Sequence, residues 1–566
     1  MDRQGIGIVL IYGLALLLAV LTGRYLCRVF GTRRPAADWL SPLENRLFRL
    51  SGIDPSQPMR WQQYALTLLT LNGLWLVYAF VLLLFQTRIP IANQGGIQPM
   101  DWTLALNTAI SFLTSTNLQH YAGETGVTYF TQLAVLTFLQ FVSAATSLAV
   151  GVAVVRCLQT GSGAFVGNAY QDMVRALTRV LLPLSVVAAG LLLTTGVPMS
   201  LSPYTTIQTL QGDTQTIAGG PVAAMLPIKH LGSNGGGFFG TNTAHPLENP
   251  SYASYIVHLI DVLLLPMAFV CFVGFFLRRR RLGVLLFTIM TVGWLLITLP
   301  IIQQELAGNP ALTALGIDQS AGSLEGKEVR FGTLASAFYC GVNAVIPAGT
   351  LTSMHDSYTP LSGLFMLLGM QLDALYGGVG SGFLYLFLYI VLALFVGSLM
   401  TGRTPELLGK KIGLTEMQLA VGILVLLPLL YLGGTGVAVA LLNANPDLGW
   451  LSNPGYHGFT TMLYEYVSSA AGNGSGFEGL ADNTPFWNLS TTVVMAGGRF
   501  VPLLGPLAIA GILYAKPYTP PSAGVLPIDS VTFGVLLAAI MLITGALCFF
   551  PALAIGPLAE YLTQHP

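Results

Sequence analysis

Charge is what this 566-residue sequence has least of: Asp, Glu, Lys and Arg together make up 8% of it, against 53% hydrophobic residues. A soluble domain carries roughly a quarter charged residues. The polar side chains needed to cover a water-facing surface are missing, which excludes a soluble enzyme, a nucleic-acid binder and a disordered chain. Cysteine is nearly absent too. Cys27, Cys157, Cys271, Cys340 and Cys548 are scattered, odd in number and free of any CxxC or Cys/His cluster, so neither a disulfide framework nor a zinc site is supported. Gly322–Glu328 (GSLEGKE) lacks the spacing of a phosphate-binding loop. His258 is the one histidine well inside an apolar run, which leaves a bis-His haem without ligands.

What is present is apolar length broken by glycine and proline, 64 and 32 residues respectively. A transmembrane helix needs about 20 apolar residues. Ten runs qualify, near 5–22, 64–86, 128–155, 174–197, 253–277, 282–303, 379–401, 416–442, 489–515 and 530–553. The first lacks the basic start and cleavage site of a signal peptide and is expected to stay as a helix. Eighteen of the 24 basic residues fall in alternate connections: Arg24, Arg28, Arg33, Arg34, Arg46, Arg49 and Arg60; Arg156, Arg175 and Arg179; Arg278–Arg281; Arg403, Lys410 and Lys411; and Lys516. Those connections are expected in the cytoplasm, with both termini outside.

The outward connections, about 87–127, 198–252, 304–378 and 443–488, contain apolar stretches such as Leu104–Leu113 and Pro221–Leu231. Each is too short to span and long enough to dip in and return. Two dips share a spaced pattern: Asn234, Gly235, Gly237, Phe238, Gly240, Pro246, Asn249 and Asn473, Gly474, Gly476, Phe477, Gly479, Pro485, Asn488. The offsets from Asn are identical. The first dip keeps Asn117, Tyr121 and Gly123; the third keeps Gly349 and Pro360, counted from Ala348. Anchors 117, 114 and 125 residues apart predict an internally repeated, pseudosymmetric membrane fold. The expected architecture is an all-α bundle of ten helices. It has four parallel helix–pore loop–helix repeats around one pore (64–156, 174–281, 282–411 and 412–516), an extra helix and loop at 1–63 and an extra helix at 517–566. Four glycine-bearing loops can offer a ring of backbone carbonyls that replaces the water shell of potassium. Carboxylates are nearly absent from the loop cores, where only Glu478 comes close, so calcium is disfavoured.

At these loops the chain resembles the channel-like A subunit of the Kdp-type potassium-transporting ATPases of bacteria. The likeness rests on Thr114–Glu124 (TSTNLQHYAGE), Gly232–Pro250 (GSNGGGFFGTNTAHPLENP), Met354–Pro360 (MHDSYTP), Gly377–Gly382 (GGVGSG), Gly402–Lys411 (GRTPELLGKK) and Ser468–Trp487 (SSAAGNGSGFEGLADNTPFW). It runs nearly the whole chain, and a more distant likeness extends to the wider superfamily of four-repeat potassium transporters. The resemblance implies selective binding of external potassium and its passage inward, through a tunnel, to a separate P-type ATPase subunit. Small accessory subunits complete such a complex in the bacterial inner membrane. It also implies filter positions at Thr116, Asn117 and Gln119; Asn234 and Gly235; Gly349; and Asn473 and Gly474. The third loop, Val345–Thr350 with Pro347, departs most from the pattern, and His120 and Glu478 stand where smaller or neutral residues are expected. No DKTG phosphorylation motif occurs in the chain, so ATP chemistry must come from the partner.

Arg499 falls mid-helix, where an unpaired charge costs at least ~2.5–3.5 kcal/mol. Counted from the anchors, Asp373 sits at similar depth, which suggests an Asp373–Arg499 pair beneath the filter, with Asp261 as the competing partner. The apolar run 361–401 is too long for one span. Its break at Gly377, Gly378, Gly380 and Gly382 is expected to form an intramembrane gate, since irregular backbone at depth must line a cavity. His355–Asp356 is expected to brace a loop rather than act as a catalytic dyad. Two alternatives remain: a stand-alone potassium channel or ion-coupled symporter with the same filter, and a membrane-embedded enzyme or respiratory subunit. The latter would need paired carboxylates or haem ligands within the helices.

Overall fold

The computed structural model describes residues 3–31, 40–89, 93, 95–159, 161–520 and 526–564; Arg33 and Arg34 lie outside them. Among the described residues, ten helices are long and apolar enough to cross a membrane. They are α1 (Arg3–Phe30), α2 (Trp61–Leu84), α4 (Tyr129–Cys157), α5 (Ala169–Thr194), α7 (Tyr252–Phe276), α8 (Arg280–Ala307), α11 (Ser381–Met400), α12 (Leu414–Ala444), α14 (Pro485–Ala515) and α15 (Val531–Leu553). Each matches one of the ten apolar runs. Between them lie shorter helices: α3 (Trp102–Leu113), α6 (Val222–Leu231), α9 (Gly332–Val345), α10 (Pro360–Leu372) and α13 (Tyr456–Ala471).

The order long helix, short helix, loop, helix occurs four times: α2–α3–α4, α5–α6–α7, α8–α9–α10/α11 and α12–α13–α14. The short helices α3, α6, α9 and α13 are buried nearly end to end. The outer spans α1, α2, α12 and α15 instead present large apolar side chains outward, as helices facing lipid do. Local signals set the entries. Asp101 caps α3 by accepting the Thr103 amide at 2.8 Å, and Ser251 and Thr484 cap α7 and α14. Pro360 starts α10, which ends at Asp373 in a left-handed conformation (φ 42°). Residues between Asp373 and Gly380 are buried and non-helical, so the run 361–401 is indeed broken into two helices. The few strands among the described residues are two short hairpins, one of them pairing Thr205–Gln208 with Thr214–Ile217.

Prolines inside the spans leave carbonyls without an N–H partner. Pro502 in α14 frees the carbonyl of Gly498, four residues back, and the Tyr385 hydroxyl of α11 donates to it at 3.2 Å. A second break in regularity, the π-helical stretch at Gln132–Thr137, is one of three among the described residues and precedes the part of α4 that faces the loops. Such turns gather at functional sites.

Candidate ion-selectivity site

Each buried short helix ends in a loop, and the four loops touch in cyclic order. A Cβ on Gly235 would land on the Ala348 carbonyl oxygen of the third loop. One on Gly349 would land on the Asn473 carbonyl of the fourth, and one on Gly474 on the Thr116 carbonyl of the first. The first loop closes the circle: Asn117 Nδ2 donates to Asn234 Oδ1 of the second at 3.4 Å. Side chains at Gly235, Gly349 and Gly474 are therefore excluded by a neighbouring carbonyl. Gly349 and Gly474 are also left-handed (φ 57° and 87°), which glycine adopts without strain. Among the described residues, the carbonyls of Thr116, Asn234, Ala348 and Asn473 accept no hydrogen bond from the protein. Four equivalent positions thus present four unused backbone oxygens around one axis.

The backbone also sets the register. Left-handed residues alternate at Ser115 and Asn117, Ser233 and Gly235, and Gly472 and Gly474. By conformation Asn117 is in step with Gly235, Gly349 and Gly474. Thr116 is in step with Asn234 and Asn473, one residue off the offset counted from Asn117. The third loop has Pro347 where the others carry their first left-handed residue. Proline, locked near φ −65°, cannot adopt it, so this loop diverges in backbone as well as in composition.

The asparagines brace the loops rather than line the ring. Asn234 Nδ2 donates to the carbonyls of Gln140 (3.1 Å) and Ile228 (3.2 Å), and its Oδ1 accepts from Ser143. Asn473 reaches the Asn343 carbonyl at 2.9 Å and accepts from Ser475. The Thr116 hydroxyl pairs with Thr114 at 2.8 Å. Gln119 exchanges two hydrogen bonds with the backbone of Gly237, lacing the first loop to the second at its outer end.

Further residues complete the frame; of these His120, His355, Asp356 and Asn488 stood out in the sequence, and the others did not. Fully buried Lys229 of α6 binds Glu248 (2.7 Å), Thr243 (2.7 Å) and Asn242 Oδ1 (2.5 Å). Asn242 in turn donates to the Gly235 carbonyl at 2.6 Å and the Gly349 carbonyl at 3.4 Å. Lys327 and Glu305 form a second fully buried pair, and Glu305 accepts from Thr359 and Ser362 at the start of α10. His120 ties the first loop to Asn488 (2.6 Å) and Glu465 (3.1 Å). Burial alone would lower its pKa, but Asp482 and Glu465 hold it up at about 9. His457 bridges Asp356 and Glu560, and against the cost of burial those carboxylates hold it up at about 10. His355 pairs with the Tyr464 hydroxyl at 2.8 Å, so His355 and Asp356 both join the third loop to α13 and form no dyad. In the sequence the signal for these residues was their charge inside apolar stretches, but the partners lie up to 368 residues apart.

Beside the ring, on its Ser115 and Ser233 side, lies a cavity lined by Ser115, Ser147, Ser233, Pro347, Asp373, Gly378, Ser381, Tyr385, Arg499 and Pro502. It brings Asp373 and Arg499 together but not into a direct pair. Arg499 donates to Ser115 Oγ (3.0 Å), Ser147 Oγ and the Ser143 carbonyl, and Asp373 Oδ1 has no partner among the described residues. Small hydroxyls can approach the guanidinium more closely than a carboxylate held on the left-handed end of α10. Asp261, also buried with an unpartnered oxygen, makes no ion pair with Arg499. Gln140, Ser143 and Ser147 run down one face of α4 at helical spacing, from the ring to this cavity. Of the four gate glycines, Gly378 lines the cavity, whereas Gly380 packs on the Ser147 carbonyl and Gly377 and Gly382 pack on each other.

A family model described as the potassium-transporting ATPase A subunit matches residues 9–562. The chain belongs to that family. It is 47% identical to the potassium-transporting ATPase potassium-binding subunit of Flavobacterium psychrophilum and 46% identical to that of Flavobacterium johnsoniae; each match covers all of both chains. The corresponding subunit of Phocaeicola vulgatus is 42% identical, again over both full lengths. Among solved structures, the crystal structure of the potassium transporter TrkH from Vibrio parahaemolyticus aligns with a TM-score of 0.50 at 15% identity. That match covers 89% of this chain and 97% of the other, a likeness of fold alone.

Proposed function

We propose that this chain binds potassium from outside the cell and passes it inward as the ion-conducting subunit of an ATP-driven uptake pump. The single observation that carries the reading is the closed ring of four loops whose Thr116, Asn234, Ala348 and Asn473 carbonyls are left free. A potassium ion gives up its water only where such oxygens replace it. Gly235, Gly349 and Gly474, with Asn117, allow the loops to approach. Asn234, Asn473, Gln119 and Thr116 hold them through their side chains. Beside the ring, Arg499 places positive charge where a cation arrives, so it opposes onward movement, and Asp373 with the buried, non-helical Gly377–Gly382 segment offers the route past it. The six segments 1–63, 64–156, 174–281, 282–411, 412–516 and 517–566 are the proposed units of this design. The proposed setting is the bacterial inner membrane, both termini outside, with a P-type ATPase subunit and small accessory subunits as partners.

The test is potassium-stimulated ATPase activity of the complex purified through this chain in mild detergent, compared with a Gly235→Ser version. Co-purifying activity whose ion selectivity weakens or broadens in the variant supports the reading. Passive potassium flux on reconstitution without ATPase activity would favour a channel or symporter. The absence of both activities would remove potassium as the substrate.

A further inference from the structure

Away from the ring, the turn between α7 and α8 carries a second cluster of charge. There Arg24 of α1, Arg278, Arg279, Arg280 and Arg281 line one recess, with Asp529 as the only acidic member among the described residues. All five arginines are exposed, and none forms an ion pair among the described residues. Arg24 lies over the Phe275 ring, 5.4 Å from its centroid, which holds its guanidinium at the mouth. The turn is tight because Gly274 and Gly283 meet backbone to backbone and Arg278 takes a left-handed φ of 56°.

Gly274, Phe275 and Arg280 also belong to a second, apolar recess. It runs along the bundle between α1, α7 and α8 and is lined further by Leu16, Val20, Val284 and Phe287. A basic pocket at the membrane surface therefore opens directly into an apolar groove at membrane depth. Orientation by positive charge needs arginines near the cytoplasmic surface; it does not need them gathered around a recess continuous with a lipid-facing groove. A free anion would use the first recess and leave the second empty.

We propose that this composite site binds an anionic phospholipid, its phosphate among the arginines and one acyl chain in the groove between α1 and α8. The chemistry is that of basic pockets between transmembrane helices that retain acidic headgroups. One acidic residue against five guanidiniums gives the recess the charge complementary to such a headgroup and opposed to a cation or a basic peptide.

The experiment is native mass spectrometry of the assembled complex in mild detergent, titrated with phosphatidylglycerol, phosphatidylcholine and inorganic phosphate. Two variants are compared with the wild type. Arg24→Gln/Arg280→Gln removes charge from two different helices. Val284→Trp, at a position 66% exposed, fills the groove and leaves every arginine in place. The wild type should retain phosphatidylglycerol over phosphatidylcholine. The double variant should lose roughly thirtyfold in phosphatidylglycerol affinity, the effect expected of two arginines at an anionic surface. Val284→Trp should weaken phosphatidylglycerol and leave phosphate binding unchanged. Because the two variants act by charge and by shape, misfolding of one does not silence the other. Equal retention of the two lipids would overturn the proposal, as would unchanged affinity in both variants. So would displacement of the lipid by phosphate with no effect of Val284→Trp, which marks a free-anion pocket. Lipid bound to the isolated chain but absent from the complex would assign the surface to a partner subunit instead.

Discussion

Single carbonyls and single glycines decide most of the chemistry at the ring. Gly474 is the sharpest case, since both its φ of 87° and the Thr116 oxygen beside it exclude a side chain. A left-handed non-glycine residue costs roughly 1–2 kcal/mol, and the clash adds to it. Gly474→Ala is expected to raise the potassium concentration for half-maximal ATPase stimulation by about tenfold or more, the equivalent of ~1.4 kcal/mol; an unshifted half-maximum would remove Gly474 from the site. His120 supplies a pH dependence of defined sign. Its folded pKa of about 9 lies above the unfolded value of about 6.5. Its contribution is thus complete below pH ~6.5 and is lost as pH rises through about 9. Thermal unfolding in detergent should shift downward between pH 7 and pH 10 in the wild type, and much less so in His120→Asn. Equal slopes for the two proteins would mean that the clamp between His120, Glu465 and Asn488 carries no stability.

Elements are joined by charges that the bilayer setting makes expensive to leave alone. Lys229 on α6 holds Asn242, and through it the carbonyls of Gly235 and Gly349, while Glu248 neutralises it. Removing one member of a buried pair typically costs 3–5 kcal/mol because the other charge stays behind. Lys229→Met should therefore lower the unfolding temperature markedly and weaken potassium selectivity together. Weakened selectivity at full stability would mean that Lys229 acts on the ion rather than on the frame. The break between α10 and α11 belongs to the same scale. Deleting Gly378 and Val379 should fuse or misalign the two helices and change potassium flux in reconstituted vesicles by about tenfold or more, ~1.4 kcal/mol in barrier terms. Flux unchanged by the deletion would sink the gate.

At the scale of the whole molecule the ten spans and the arginine-rich turns are the basis of the proposed orientation. With both termini outside, a membrane-impermeant thiol reagent applied to intact cells without their outer barrier should label a cysteine placed near residue 4. It should spare one placed at 279 until the membrane is opened. The reverse pattern would invert the topology and with it the direction of uptake. The cyclic contact of four loops from distant parts of the chain also means that the ring exists only when all four units are assembled. Local damage to one loop is therefore expected to disturb ions at all four carbonyls.

The amino-acid sequence by itself determined the ten spans, the four dips and the positions of the loops, because hydrophobic length, arginine placement and the Asn-Gly spacing are properties of neighbouring residues. It also placed a helix break at Gly377–Gly382, where glycine and a long apolar run meet; in the structure the break begins earlier, at Asp373, and ends at Gly380. Only the tertiary structure decided which atoms those loops offer. The Asn117-based offset was one residue out of step with the backbone, because the side chain repeats less faithfully than the alternation of left-handed residues. Arg499 went to Ser115 and Ser147 rather than to Asp373, because depth along a helix says nothing of the direction a side chain takes. The frame of Lys229, Asn242, His120 and Glu465 was hidden for the same reason: each bond joins residues whose proximity is created by packing and leaves no trace in local order.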